Sequence, residues 1–268
     1  MRDELDKDIF GTFVPEHSHE DPVRRAQIQM KRPLPKRFYK DASIAEGLEG
    51  FSVLLDGKLV KTPAKKALTL PTREAAELVV AEWAAQGEHI DPAKMPITKL
   101  ANTAIDAVAI SLDDVFDEIV RFAGNDLLCY RADAPKELVE RQAKSWDPVL
   151  AWIAAAHQAR FILVEGVMHQ AQPAAAIAAY AAALNAYREP FRISCLNVVT
   201  TLTGSAVLAL AFAESAFDLD TVWALAHVDE DWTSEHWGSD EEAEARREAR
   251  YAEYAAAAAL FAALDPAI

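Results

Sequence analysis

The chain has 268 residues, about half hydrophobic, enough for one large domain or two small ones. Its formal net charge of −15 excludes a nucleic acid or an anionic membrane surface as the natural partner. Scarce glycine argues against a phosphate-cradling α/β fold, and two cysteines in apolar surroundings, Cys129 and Cys195, exclude a disulfide framework and point to a reducing compartment.

Residues 1–32 are rich in proline and charge and read as an extended arm. Within the arm His17 and His19 lie near Glu16 and Glu20, but alternate histidines in an aperiodic segment offer a metal no fixed geometry. The opening MRDELDKDIF has neither the apolar stretch of a secretory signal nor the acid-poor pattern of a transit peptide.

From residue 33 to about 110 the pattern is that of a small α+β unit. FSVLL and KLVKT flank Asp56-Gly57, a two-residue turn that needs positive φ and predicts a hairpin. ALTL is a further short strand, closed by Pro71. The stretch TREAAELVVAEWAAQG predicts a helix with Thr72 as N-cap and Gly87 at the stop. Trp83 lies on its apolar face and is expected to pack on the sheet.

From residue 111 to the end the spacing is helical. Ser111 and Asp114 suggest a capping box, with Val115, Ile119 and Phe122 on one face. Pro135 and KELVERQAKSWDPVLAWIAAAH open a pair of helices, and an Ala-rich helix follows that Pro190 should stop. Ile193 to Ala213 carries no charge and is nearly long enough to cross a membrane. Its Asn197, Thr200, Thr201, Thr203, Gly204 and Ser205 favour a central helix of a water-soluble domain. TVWALAHVDEDW reads as one helix, after which Trp232 and Trp237 bracket a turn ending at Gly238. The last helix starts at SDEEAEARR. The predicted architecture is therefore α+β: a small sandwich-like domain of antiparallel strands and helix at 33–110, then a larger all-helical domain at 111–268.

Charge is uneven. Residues 22–71 hold 11 Lys/Arg against 4 Asp/Glu, whereas residues 214–268 hold 3 against 14, so the protein presents two differently charged faces.

A catalytic constellation is hard to find. There is no Gly-x-Ser-x-Gly elbow and no Gly-rich strand-to-helix turn. Metal ligation would draw on His227 with Glu230, on His236, or on Glu165 with His169, but paired motifs on facing helices are missing. Neither a cofactor nor a metal is expected. In NDLLCYRAD, Asp126 and Asp133 flank Arg131, which suggests a structural ion pair at a helix corner. An enzyme reading survives as an alternative, with a site between the domains built from Asp126, Tyr130, Arg131 and His157. On residue pattern alone the acidic corner Val228–Tyr251 reads as a solvated face whose tryptophans anchor helix packing.

The order of segments adds to this. RFYK, LDGKLVKTP, LTLP, AEWAAQ, ITKLANTAID, DLLCYRAD, ELVERQ, WDPVLAW and EDWTSEHWGSDEEAEARR run from Arg37 to about Ala262. Together they resemble the assembly chaperones of F-type ATP synthase that hold the alpha subunit of its catalytic sector. The resemblance implies a non-enzymatic binding protein that prevents unassembled alpha subunit from aggregating until it pairs with beta. It implies an acidic position ahead of the Trp-Gly pair with a functional role. Glu230 matches it best, with Asp229 and Asp231 as neighbours and Trp232 as the adjoining aromatic. Trp237, Gly238, Trp83, Arg131 and Asp126 are then structural. The expected partner is the alpha subunit alone, with no membrane insertion, and the expected state is a monomer. The expected place is the cytoplasm of a bacterium, or the mitochondrial matrix for a mature organellar form.

Overall fold

The computed structural model describes residues 34–166 and 170–264. The arm at 1–32, with His17 and His19, and His169 lie outside the described residues. The chain divides into two compact units, one running to Ala107 and taking in the chain from Ala263, the other spanning Val108–Ala262.

The first unit is built on a small antiparallel sheet. Strand β1 (Ala42–Gly47) pairs with β2 (Gly50–Leu55), whose other edge pairs with β3 (Lys58–Leu59) and β4 (Thr69–Leu70). The predicted hairpin turn is present: Asp56 and Gly57 take φ of 47° and 75°. Asp56 also accepts hydrogen bonds from the backbone N–H groups of Lys40 and Asp41. Gly50 is required by space as well as by φ, because a Cβ there would lie 2.4 Å from the Leu70 carbonyl oxygen.

Helix α1 (Arg73–Ala84) is capped by Thr72, whose hydroxyl accepts from the Ala75 N–H. It buries Ala75, Ala76, Val79 and Trp83. Tyr39 donates its hydroxyl to the Trp83 carbonyl and meets the indole edge-on at 5.6 Å. Trp83 thus has the packing role expected of it. Helix α2 (Pro96–Thr103) is started by a carboxylate from its neighbour: Glu82 accepts from the N–H groups of Ile97 and Thr98 and from the Thr98 hydroxyl.

The second unit is largely helical, with α3 (Leu112–Ala123), α4 (Lys136–His157), α5 (Ala174–Leu184), α6 (Pro190–Thr203), α7 (Ala206–Ala213), α8 (Leu219–Ala226), α9 (Val228–Trp237) and α10 (Glu241–Ala263). It also holds a two-stranded parallel ladder, β5 (Tyr130–Arg131) with β6 (Val164–Glu165), which helical periodicity does not reveal.

Several local expectations are corrected here. Ser111 sits at the start of α3 without a side-chain cap bond, and the buried face runs through Phe116, Ile119 and Ala123. The stretch after Pro135, read as opening a pair of helices, is one helix, α4, which continues through Pro148 and buries Trp146, Val149 and Ile153. Pro190 is the first residue of α6 rather than the stop of α5, a position where its missing N–H costs nothing.

The uncharged stretch is two helices, not one. Gly204 breaks it at φ 68°, and Ser205 caps α7 by accepting from Leu208. The break is organised around Asp126, which is fully buried. Its carboxylate accepts from the Ser205 hydroxyl at 2.7 Å and from the N–H groups of Leu128 and Val207 at 3.0 and 2.9 Å. Those donors hold the carboxylate in place, but burial outweighs them and pushes its pKa up to about 6. Among the described residues no helix is long and apolar enough to cross a membrane.

The raised pKa of Asp126 fixes a sign. Between the ordinary value of 3.8 and about 6 the folded chain binds the proton that the unfolded chain releases. Stability therefore rises as pH falls through that window. Relative to Asp126→Asn, the wild-type chain should gain about 2 kcal/mol between pH 7 and pH 4, read from urea unfolding at each pH. A pH-independent difference would contradict this assignment.

Candidate functional site

The acidic corner is a helix held on two sides. His227 interrupts the expected single helix, ending α8 and starting α9 at φ −113° and ψ 18°. Trp232 therefore sits within α9 and does not bracket a turn. Gly238 ends α9 at φ 82°, which only glycine adopts without strain.

Asp229, Glu235 and Trp232 turn toward α4. Asp229 accepts from Gln142 Nε2 at 2.8 Å. Glu235 takes both terminal nitrogens of Arg141, at 2.5 and 2.8 Å. That fork holds the Glu235 carboxyl below its usual range, first through the hydrogen bond and then through the charge of Arg141. The Arg141 guanidinium lies 6.0 Å from the centre of the Trp232 ring, whose other neighbour is His236, stacked at 4.0 Å. Asp231 turns toward α10 and pairs with Arg247 at 2.5 Å.

Glu230 is the exception. Its side chain is 45% exposed and lies 3.6 Å from His227 Nε2. His227 is buried, its ring tilted 36° against that of Trp223 with centres 4.0 Å apart, and places Nδ1 2.7 Å from the Trp223 carbonyl. A carbonyl only accepts, so Nδ1 carries the proton and neutral His227 turns an Nε2 lone pair toward Glu230. Burial lowers the His227 pKa and, with Arg247 and Arg250, outweighs the Trp223 hydrogen bond and the charge of Glu230, which raise it. At neutral pH the imidazole thus offers Glu230 no hydrogen bond, and the carboxylate stays available to solvent.

Trp237 corrects an expectation. The packing role assigned to it belongs to Trp232, which is half-buried, while Trp237 is 76% exposed. Pattern reading missed Arg141, Gln142 and Arg247, the three side chains that take up the neighbouring acids. The available signal was the i, i+3, i+6 spacing of Asp229, Trp232 and Glu235, which marks one face of a helix.

The alternative enzymatic cluster does not assemble. Asp126 is enclosed by the Ser205 and backbone donors. Arg131 is paired not with its flanking acids but with Asp147 at 2.9 Å, and its Nε donates to the Leu128 carbonyl. His157 Nε2 is 2.9 Å from Glu214, and the Tyr130 hydroxyl donates to Asn125. All four lie in the second unit, each committed to a different neighbour. An open depression of about 460 Å³ beside α3, lined in part by Asp117, Arg121, Asn125 and Gln172, includes none of them. Among the described residues no three His, Cys, Asp or Glu side chains are placed to hold a metal ion.

Gln142 is the buried link in this arrangement, since its Oε1 also accepts from the Ala132 N–H at 2.9 Å. Gln142→Leu should cost about 2 kcal/mol in chemical denaturation, because it strands that N–H and releases Asp229. Glu230→Gln should stay within about 0.5 kcal/mol of wild type. Equal losses from the two would show that Glu230 is a structural side chain.

Residues 36–154 match the model of the ATP12 chaperone protein family. The crystal structure of a proposed chaperone from Agrobacterium tumefaciens is 53% identical, covering 92% of this chain and 93% of its own, with a TM-score of 0.85. Atp12 from Paracoccus denitrificans is 37% identical over 86% of this chain and 99% of its own, with a TM-score of 0.81. An aspartate-to-lysine variant of the Paracoccus protein matches at 36% identity and the same TM-score, covering 86% of this chain and 98% of its own. On this length and level of identity, the chain belongs to the ATP12 chaperone family.

Proposed function

We propose that this chain is an assembly chaperone for the catalytic sector of F-type ATP synthase. In this reading it binds unassembled alpha subunit and keeps it from aggregating until beta replaces the chaperone. Membership of a chaperone family supports the role, and the observation that carries the site is the state of Glu230. Of the four consecutive positions Asp229 to Trp232, it is the one whose side chain, among the described residues, meets neutral His227 in place of an amide or arginine partner.

The physical task is one of cover and release. An unpaired subunit interface exposes apolar surface that self-associates, and a chaperone that masks it lowers the concentration of sticky surface. Release in favour of beta requires a contact of limited affinity, with a few anchors inside a polar rim. Glu230 is suited to such a contact: its carboxylate is partly solvated before docking and its near neighbour His227 is neutral, so docking breaks no arginine pair. Asp229 and Asp231 would each break a bond inside the molecule in order to serve. The reading needs no cofactor and no covalent step. It treats the chain as a monomer that meets its client in the bacterial cytoplasm.

Purified chain at equimolar ratio should suppress light scattering by isolated alpha subunit. Glu230→Lys should weaken alpha-subunit binding by about 10- to 100-fold with unchanged circular dichroism and melting temperature. Alpha subunit that aggregates as fast with wild-type chain as with buffer would overturn the function. Full binding by Glu230→Lys would remove Glu230 from the contact.

A further inference from the structure

The face of α9 that carries Glu230 carries a second unengaged group. Positions 230, 233 and 237 are spaced i, i+3 and i+7, so they form one stripe along the helix. Thr233, in the middle, is exposed and returns its hydroxyl to the Asp229 carbonyl. Trp237, at the end, is 76% exposed, and its ring neighbour among the described residues is His236 at 5.8 Å. The other two sides of α9 are occupied by α4 and α10 through Gln142, Arg141 and Arg247. An indole left bare on the side that the described residues do not cover is a large apolar area held out for something else.

The charge around it selects what that is. Residues 228–242 contain seven Asp/Glu and no Lys or Arg. Asp229, Asp231 and Glu235 are paired within the molecule, Glu242 is paired with Arg246, Asp240 caps α10 by accepting from Ala243, and among the described residues no Lys or Arg is paired with Glu230. A second copy meeting this face with the same face would bring the same acids against them, which disfavours a symmetric self-contact. A cationic segment gains from both groups: its ammonium or guanidinium meets Glu230, and its apolar neighbour covers the indole.

We propose that Glu230 and Trp237 form a two-point docking face for a client segment bearing a Lys or Arg and, about 10 Å from it, a large apolar side chain. That separation is the rise of seven residues along α9. It corresponds to two turns of a docked helix or three residues of an extended strand. The face rests on the chaperone reading above, and it names the chemistry by which such a client is chosen. Segments with acidic residues at the same spacing are rejected by repulsion.

The test compares wild type, Trp237→Ala, Trp237→Phe, Glu230→Gln and the double variant Glu230→Gln/Trp237→Ala, all full-length, against purified alpha subunit. A second probe is a synthetic helical peptide with Arg and Leu seven positions apart, beside a control with Glu in place of Arg. Binding to the Trp237 indole is followed by its N–H resonance, identified by its loss in Trp237→Phe. The proposal expects about a 30-fold loss of alpha-subunit binding for Trp237→Ala and a partial loss for Trp237→Phe. It expects the double variant to lose less than the product of its singles, with melting curves unchanged throughout. Alpha-subunit binding by Trp237→Ala within twofold of wild type overturns the proposal and leaves the chaperone reading standing. If wild type fails to bind alpha subunit, the chaperone reading falls and the peptide decides. A shift of the Trp237 resonance by the Arg peptide, absent in Glu230→Gln and with the Glu control, supports the face; no shift overturns it. A wild-type dimer that Trp237→Ala dissociates makes the face a self-contact and also overturns it.

Discussion

Helix α9 has an acid at four of its ten positions, and everything proposed for this protein depends on how those acids are divided. Asp229 and Glu235 are fastened to α4 and Asp231 to α10. A short helix with so many like charges gains little from its own propensity and would fray alone. The Arg141 fork, the Arg247 pair and the buried Gln142 amide supply the opposite charge and the hydrogen bonds that hold it. Because those contacts come from two directions, they fix the rotation of α9 about its axis. That rotation places Glu230 and Trp237 together on the remaining side.

The helices behind α9 owe their arrangement to a second polar constraint. Asp126 is a buried carboxylate surrounded by donors from the start of α7 and the turn at Leu127–Cys129, and among the described residues it has no ion pair. Charge is tolerated there because three hydrogen bonds replace its water. The arrangement explains why a long uncharged stretch is bent at Gly204–Ser205: a straight helix would leave the carboxylate without the Ser205 hydroxyl and the Val207 N–H. The neighbouring thiol of Cys129 is driven up to about 12 by burial and by the same carboxylate, which keeps it neutral and inert.

The legible parts of the fold were those decided within a few residues. Asp56-Gly57 called for a tight turn because two consecutive positive φ angles are cheap only there. Thr72 announced α1 because its hydroxyl serves a helix N–H three residues on. Trp83 declared itself core by sharing a face with Val79. The misreadings have one physical source: each needed a partner distant in the chain. Pro148 lies inside a continuous α4 because Trp146, Val149 and Ile153 are buried on either side of it. Arg131 passed over its sequence neighbours for Asp147. The candidate site was half legible: the resemblance led to Glu230, but the spacing of its neighbours alone did not separate it from Asp229 or Asp231.

The amino-acid sequence by itself determined the small hairpin sheet, the helical remainder, the acidic corner and the family resemblance, since turn chemistry, periodicity and motif order are local or additive along the chain. Which tryptophan is packed and which is bare was decided only by tertiary structure. Trp232 and Trp237 stand in equally acidic surroundings, and their spacing along the chain does not say which side of the helix meets another element. Arg141 and Arg247, 94 and 16 residues away from the acids they pair with, settle that rotation by taking up the acids on two sides of α9. The exposed carboxylate and indole are what that neutralisation leaves over.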